Sequence, residues 1–135
     1  MSQTKRTVLV VDDDPDIVEV TRTILETAGY NVVSAMDGAG GLAKARETKP
    51  DLIILDVMMG STTEGFHVAY EIRKDPQIAN TPILMLTAIE GKTGMKFSPD
   101  KDGDYLPVEE FVSKPIQPDD LLARVDRLIK GAKKS

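Results

Sequence analysis

The sequence predicts an α/β domain: a parallel sheet of five strands covered by helices. Three observations carry that prediction. Short apolar runs alternate with segments of helical periodicity along the chain. The runs are apolar at nearly every position, as TVLVV at 7–11 and LIIL at 52–55 show, which suits strands buried on both faces. Their ends are polar, with Asp12, Asp13 and Asp14 after the first run and Asp56 after the third.

Taken in order, Thr7 to Val11 is the first strand. Asp14 and Pro15 then read as the N-cap and first residue of a helix. Ile17, Val20, Ile24, Leu25 and Ala28 recur on it at helical spacing, and Gly29 stops it. Asn31 to Ala35 is a short second strand. Asp37 caps a helix running through Leu42 and Ala45 to Thr48, although Gly38, Gly40 and Gly41 weaken its start. Leu52 to Leu55, preceded by Pro50, is the third strand and ends at Asp56. A helix from about Glu64 to Lys74 follows, with Phe66, Ala69, Tyr70 and Ile72 on its buried side. Pro82 to Thr87 is the fourth strand and Glu110 to Ser113 a short fifth, followed by Lys114 and Pro115. Asp119 to Lys130 closes the chain as a helix with Leu121, Leu122, Val125, Leu128 and Ile129 inward.

The rhythm calls for another helix between Thr87 and Glu110. Gly91, Gly94, Pro99, Gly103 and Pro107 interrupt every candidate window there. The expectation is an irregular loop with at most one helical turn, near Ile89 to Thr93. Loops of that length in a compact domain are uncommon and often functional.

Composition sets the outer bounds. At 135 residues the chain is of ordinary single-domain size, with a core expected over about 6–130. It contains no cysteine, which excludes disulfides, zinc–thiolate sites and thiol catalysis. Two basic residues and a five-residue apolar run at the start are too little for a signal peptide, and nothing approaches a membrane-spanning length. A cytoplasmic protein without membrane insertion is expected. The net charge of −5 argues against broad contact with nucleic acid.

The polar strand ends carry the chemistry. In open parallel sheets, ligands bind outside the carboxyl ends of the strands, where the strand order reverses. Asp12 and Asp13, Asp56, Thr87 and Lys114 stand at four such ends. Neighbouring carboxylates repel unless a cation lies between them, and Mg2+ typically takes one or two carboxylates with phosphate oxygens and water. Thr87 offers a hydroxyl donor and Lys114 a compact positive charge, both suited to phosphoryl oxygens. An Asp carboxylate is also a nucleophile for phosphoryl transfer. The set reads as a metal-assisted phosphoryl acceptor.

The motifs LVVDDD (9–14), LIILDVMM (52–59), LMLTA (84–88) and FVSKP (111–115), each at a strand end, are the ones that matter. On them the chain resembles, end to end, the receiver domain of two-component response regulators, in its stand-alone, CheY-like form with no output domain over 1–135. The resemblance implies a flavodoxin-like doubly wound sheet of order 2-1-3-4-5, here with the fourth helix short or replaced by a loop. It implies that Asp56 is the phosphoacceptor, and that Asp12, Asp13, Asp56 and the main-chain carbonyl of Met58 hold Mg2+. Thr87 would bond the phosphoryl group and move toward it, and Lys114 would pair with a phosphoryl oxygen. Phe111 matches an aromatic switch position whose ring turns inward as Thr87 shifts. The implied partners are a sensor histidine kinase or a histidine phosphotransfer protein, and a downstream protein target. The domain is then a switch that promotes only its own phosphorylation and dephosphorylation, not an enzyme with a separate substrate.

The chain departs from the family pattern in three places. Gly60 replaces the usual Pro, and Ser61 to Glu64 looks one residue longer than usual. The segment between Thr87 and Lys114 is also long. Met58 and Ile89, which flank the phosphoryl site, are both apolar and cannot orient a hydrolytic water, so the phosphoryl group should be lost slowly.

Two alternatives come from other classes. A haloacid-dehalogenase-type phosphatase also uses an Asp nucleophile with Mg2+, and Asp12-Asp13-Asp14-Pro15-Asp16 loosely echoes its first motif. It lacks Thr or Val at position 16 and room for a cap. A phosphorylation-independent receiver-like binding module usually lacks the acceptor, the acidic pair or the Lys, and none is missing here. Gly91-Lys92-Thr93 and Asp100, Asp102 and Asp104 match nucleotide- and calcium-binding loops too poorly to count. His67 is read as a helix-surface residue.

Overall fold

The computed structural model describes residues 6–56, 64–87, 110–113 and 117–134. In chain order the elements are β1 (Thr7–Val11), α1 (Pro15–Thr27), β2 (Asn31–Ala35), α2 (Gly38–Thr48), β3 (Leu52–Asp56), α3 (Glu64–Lys74), β4 (Ile83–Thr87), β5 (Glu110–Ser113) and α4 (Pro118–Lys134). Strands β2, β1, β3 and β4 lie side by side in that order, all parallel, and β5 pairs with β4 along the outer edge. The expectation for the segment after Thr87 lies outside the described residues.

The unbroken apolar runs work because successive strand residues point to opposite faces. Leu9, Val11, Ile53, Leu55, Ile83 and Met85 pack on one face with Ala45 of α2 and Val68, Ala69 and Ile72 of α3. Val8, Val10, Leu52, Ile54, Leu84, Leu86 and Val112 pack on the other with Val18 and Leu25 of α1 and Leu121, Val125 and Ile129 of α4. The strands are thus buried on both sides, and the sheet is doubly wound.

Local chemistry starts the helices where the sequence places them. Asp14 caps α1, with its side chain accepting the Asp16 N–H and Pro15 at the first helical position. Asp37 caps α2 by accepting the Gly40 N–H at 2.7 Å. Gly41 lets α2 approach the sheet: a Cβ there would lie 2.9 Å from Val11 Cγ2.

Some helix faces differ from expectation. On α1 the buried residues are Val18, Thr21 and Leu25, while Val20 is 48% exposed, Ala28 is exposed, and Ile17 and Ile24 are only partly buried. On α3, Val68 takes the inward position and Tyr70 is 45% exposed; the Phe66 side chain lies outside the described residues. Both helices carry two neighbouring apolar stripes, and contact with the sheet selects one of them. β4 begins at Ile83, not Pro82, and α4 extends to Lys134.

Candidate functional site

The register of β1 against β3 builds the site. Val8, Leu9, Val10 and Val11 pair with Leu52, Ile53, Ile54 and Leu55. One residue further along, Asp12 follows Val11 and Asp56 follows Leu55, so the two carboxylates end neighbouring parallel strands, which lie about 4.8 Å apart. From β1 the chain passes to β2 on one side and then to β3 on the other. The strand order therefore reverses here, where open α/β sheets place their ligands.

Asp12 is fully buried, Asp56 is 5% exposed, and Asp13 is exposed. One ligand atom from each of these three residues lies within 4.8 Å of the other two. At such a separation two buried carboxylates repel by roughly 4 kcal/mol in a medium of effective dielectric about 20. An all-oxygen donor set of this charge fits a hard divalent cation and does not fit a soft one. Asp12 is anchored on two sides. Its N–H donates to the Ala35 carbonyl at 3.1 Å, and its Oδ1 accepts the Asp14 N–H at 2.9 Å.

The neighbouring strands bring the remaining polar positions toward this edge. Asp56 pairs with Leu86, so Thr87, the last residue of β4, stands one step beyond the carboxylate, and Thr87 itself pairs with Ser113. Phe111 lies in β5 opposite Met85, and Lys114 follows the last residue of that strand. The Thr87 and Phe111 side chains, and Met58, Ile89 and Lys114 altogether, lie outside the described residues.

A cavity of about 280 Å³ opens at the other edge of the sheet, beside Pro50, Asp51, Thr81 and Pro82, which precede β3 and β4. It is remote from the carboxylates. His67 is exposed on α3, with Nε2 3.9 Å from Glu71 Oε2, and takes no part in the cluster. Sequence reasoning missed the main-chain N–H of Asp14 as a partner of Asp12. The signal available was only an Asp-x-Asp-Pro spacing at a strand end.

Comparison with known proteins gives a consistent result. The family described as "Response regulator receiver domain" matches residues 8–126. The chain is 38% identical over 123 residues to "DNA-binding dual master transcriptional regulator RpaA" of Synechocystis, covering 91% of this chain and 48% of that protein. It is 37% identical over 123 residues to "Alkaline phosphatase synthesis transcriptional regulatory protein PhoP" of Bacillus subtilis, again covering 91% of this chain and 48% of that protein. The chain thus spans about half the length of these curated relatives. Among solved structures, the chemotaxis protein CheY4 of Vibrio cholerae superposes with a TM-score of 0.78 at 36% identity, covering 93% of this chain and 99% of that one. A CheY-like receiver domain protein from Methanospirillum hungatei gives a TM-score of 0.80 at 26% identity, covering 97% and 98%.

Proposed function

The chain belongs to the response regulator receiver domain family, and on that premise we propose that it accepts a phosphoryl group on Asp56 from a phosphohistidine and thereby switches a protein-binding surface. One observation carries the reading: Asp12, Asp13 and Asp56 converge within 4.8 Å where the strand order reverses. A sensor histidine kinase or histidine phosphotransfer protein is the donor. An Asp56 oxygen attacks phosphorus, the nitrogen–phosphorus bond breaks, and the imidazole leaves, taking up a proton. The product is an aspartyl phosphate.

Asp12, Asp13, Asp56 and the Met58 carbonyl would hold Mg2+, which supplies positive charge against the carboxylates and phosphoryl oxygens. Lys114 adds a second positive charge where negative charge develops. Thr87 donates to the phosphoryl group, and its movement together with the Phe111 ring changes the surface that a downstream protein reads. The domain is a signalling switch, and the reaction it promotes is its own.

No helix among the described residues is long and apolar enough to cross a membrane. We place the switch in the cytoplasm, with proteins and not nucleic acid as its direct contacts. Membership of the receiver family supports this reading over the hydrolase alternative.

Borohydride reduction of the phosphorylated protein tests the assignment, because it converts an acyl phosphate to an alcohol at the modified residue. Peptide mass spectrometry should find homoserine at position 56. Homoserine at position 12 or 13 overturns the reading.

A further inference from the structure

Asp14 lies outside the carboxylate cluster, yet it is tied to the cluster's most buried member. Its main-chain N–H donates to Asp12 Oδ1 at 2.9 Å, and its own Oδ1 accepts the Asp16 N–H at 2.9 Å. The second bond makes Asp14 the N-cap of α1, with extended backbone at φ −97° and ψ 110°. Its carbonyl accepts the Val18 N–H at 3.1 Å, the bond that opens the helix. Val18 and Leu25 hold α1 against the sheet. The amide that steadies Asp12 therefore belongs to a residue fixed by a cap, a helical turn and a packed helix.

We propose that Asp14 is a positioning residue for the Asp12 carboxylate, acting through the N-cap geometry of α1 and not through its own charge. The proposal rests on the reading of Asp12, Asp13 and Asp56 as cation ligands. A carboxylate already oriented by a fixed amide loses less freedom when a cation binds. Asp14 itself is exposed, so water and salt screen its charge. Its side-chain oxygen matters instead because it caps the helix and so fixes the position of its N–H. Alanine at 14 keeps the N–H but removes the cap. Asparagine and serine keep a capping oxygen without the charge.

The test is calorimetric titration with Mg2+ of wild type, Asp14→Asn, Asp14→Ser and Asp14→Ala, joined to amide hydrogen exchange at residue 14 in the metal-free proteins. Asp14→Asn and Asp14→Ser should bind as wild type does, and Asp14→Ala roughly tenfold more weakly, the size typical of a lost supporting bond. The residue 14 amide should exchange faster in the Ala variant alone. Equal weakening in all three variants assigns the effect to charge and overturns the proposal, and the two neutral caps decide this even if the Ala variant fails to fold. Wild-type affinity and exchange in Asp14→Ala also overturn it. A wild type that binds no Mg2+ overturns the cation reading and the proposal with it, a result distinct from either.

Discussion

Asp12 and Asp75 are both carboxylates just beyond a regular element, and their donors assign them different roles. Asp75 follows α3 and accepts Arg46 Nε at 2.7 Å and the Gln77 N–H at 3.0 Å. The Arg46 hydrogen bond first, and then the Gln77 amide, hold its carboxyl below the ordinary carboxylate range. Because the folded pKa is depressed, the stability it contributes is complete above the unfolded value of about 3.9 and is lost as pH falls through the folded value. Arg46→Ala should therefore raise the Asp75 midpoint in a carboxyl-carbon NMR titration. The difference in urea midpoint between the two proteins should be present at neutral pH and close in acid. An unchanged Asp75 midpoint would contradict the assignment. At this scale the cluster carboxylates were legible in the sequence, because an apolar run buried on both faces gives a terminal Asp no packing role. Val20 and Tyr70 were misplaced for a different reason. Apolar identity at helical spacing does not say which of two adjacent stripes meets the sheet, and Thr21 and Val68 occupy the inward positions.

Element positions depend on a few close contacts. A methyl at Gly41 would meet both Val11 methyls, at 2.9 and 3.0 Å. Overpacking of this kind typically costs about 1–3 kcal/mol, more than the roughly 1 kcal/mol of helix propensity that Ala gains over Gly. Gly41→Ala should lower stability in urea unfolding, and it should cost less in a Val11→Ala background, where the methyl has room. If Gly41→Ala is neutral or stabilising, the close approach of α2 to β1 is not needed. At the far edge, Glu110 at the start of β5 accepts Arg124 at 2.7 Å and Arg127 at 2.8 Å from α4. Arg124 also pairs with Asp120 at 3.0 Å. These groups are partly solvated, so Glu110→Ala should cost only about 1 kcal/mol, and less in high salt. An equal loss at low and high salt would point to packing instead. The strands and most helix boundaries were legible in the sequence, since apolar runs and Asp caps are local signals. The face each helix turns inward was less so, because it is set by residues distant in sequence.

Across the whole molecule, sheet topology converts four separated strand ends into one edge. The β1–β3 register brings Asp12 beside Asp56, and β4 and β5 carry Thr87 and Phe111 on the strands next in line. Alternation of strands and helices announced the α/β layering, but strand order came to the sequence reading only through resemblance, because no local signal encodes which strands become neighbours. If Met58 and Ile89 flank the proposed acceptor as the family resemblance implies, the phosphorylated protein should persist for minutes or longer when followed by mass spectrometry, and decay within seconds would contradict this. In the proposed function Asp56 is a Mg2+-dependent phosphoryl acceptor. Intact-mass analysis after incubation with a small-molecule phosphodonor, for wild type and Asp56→Ala with and without Mg2+, tests it most directly. The wild type should carry a single phosphoryl adduct that requires Mg2+ and is absent from Asp56→Ala. An adduct that survives in Asp56→Ala, or none on the wild type, would contradict it.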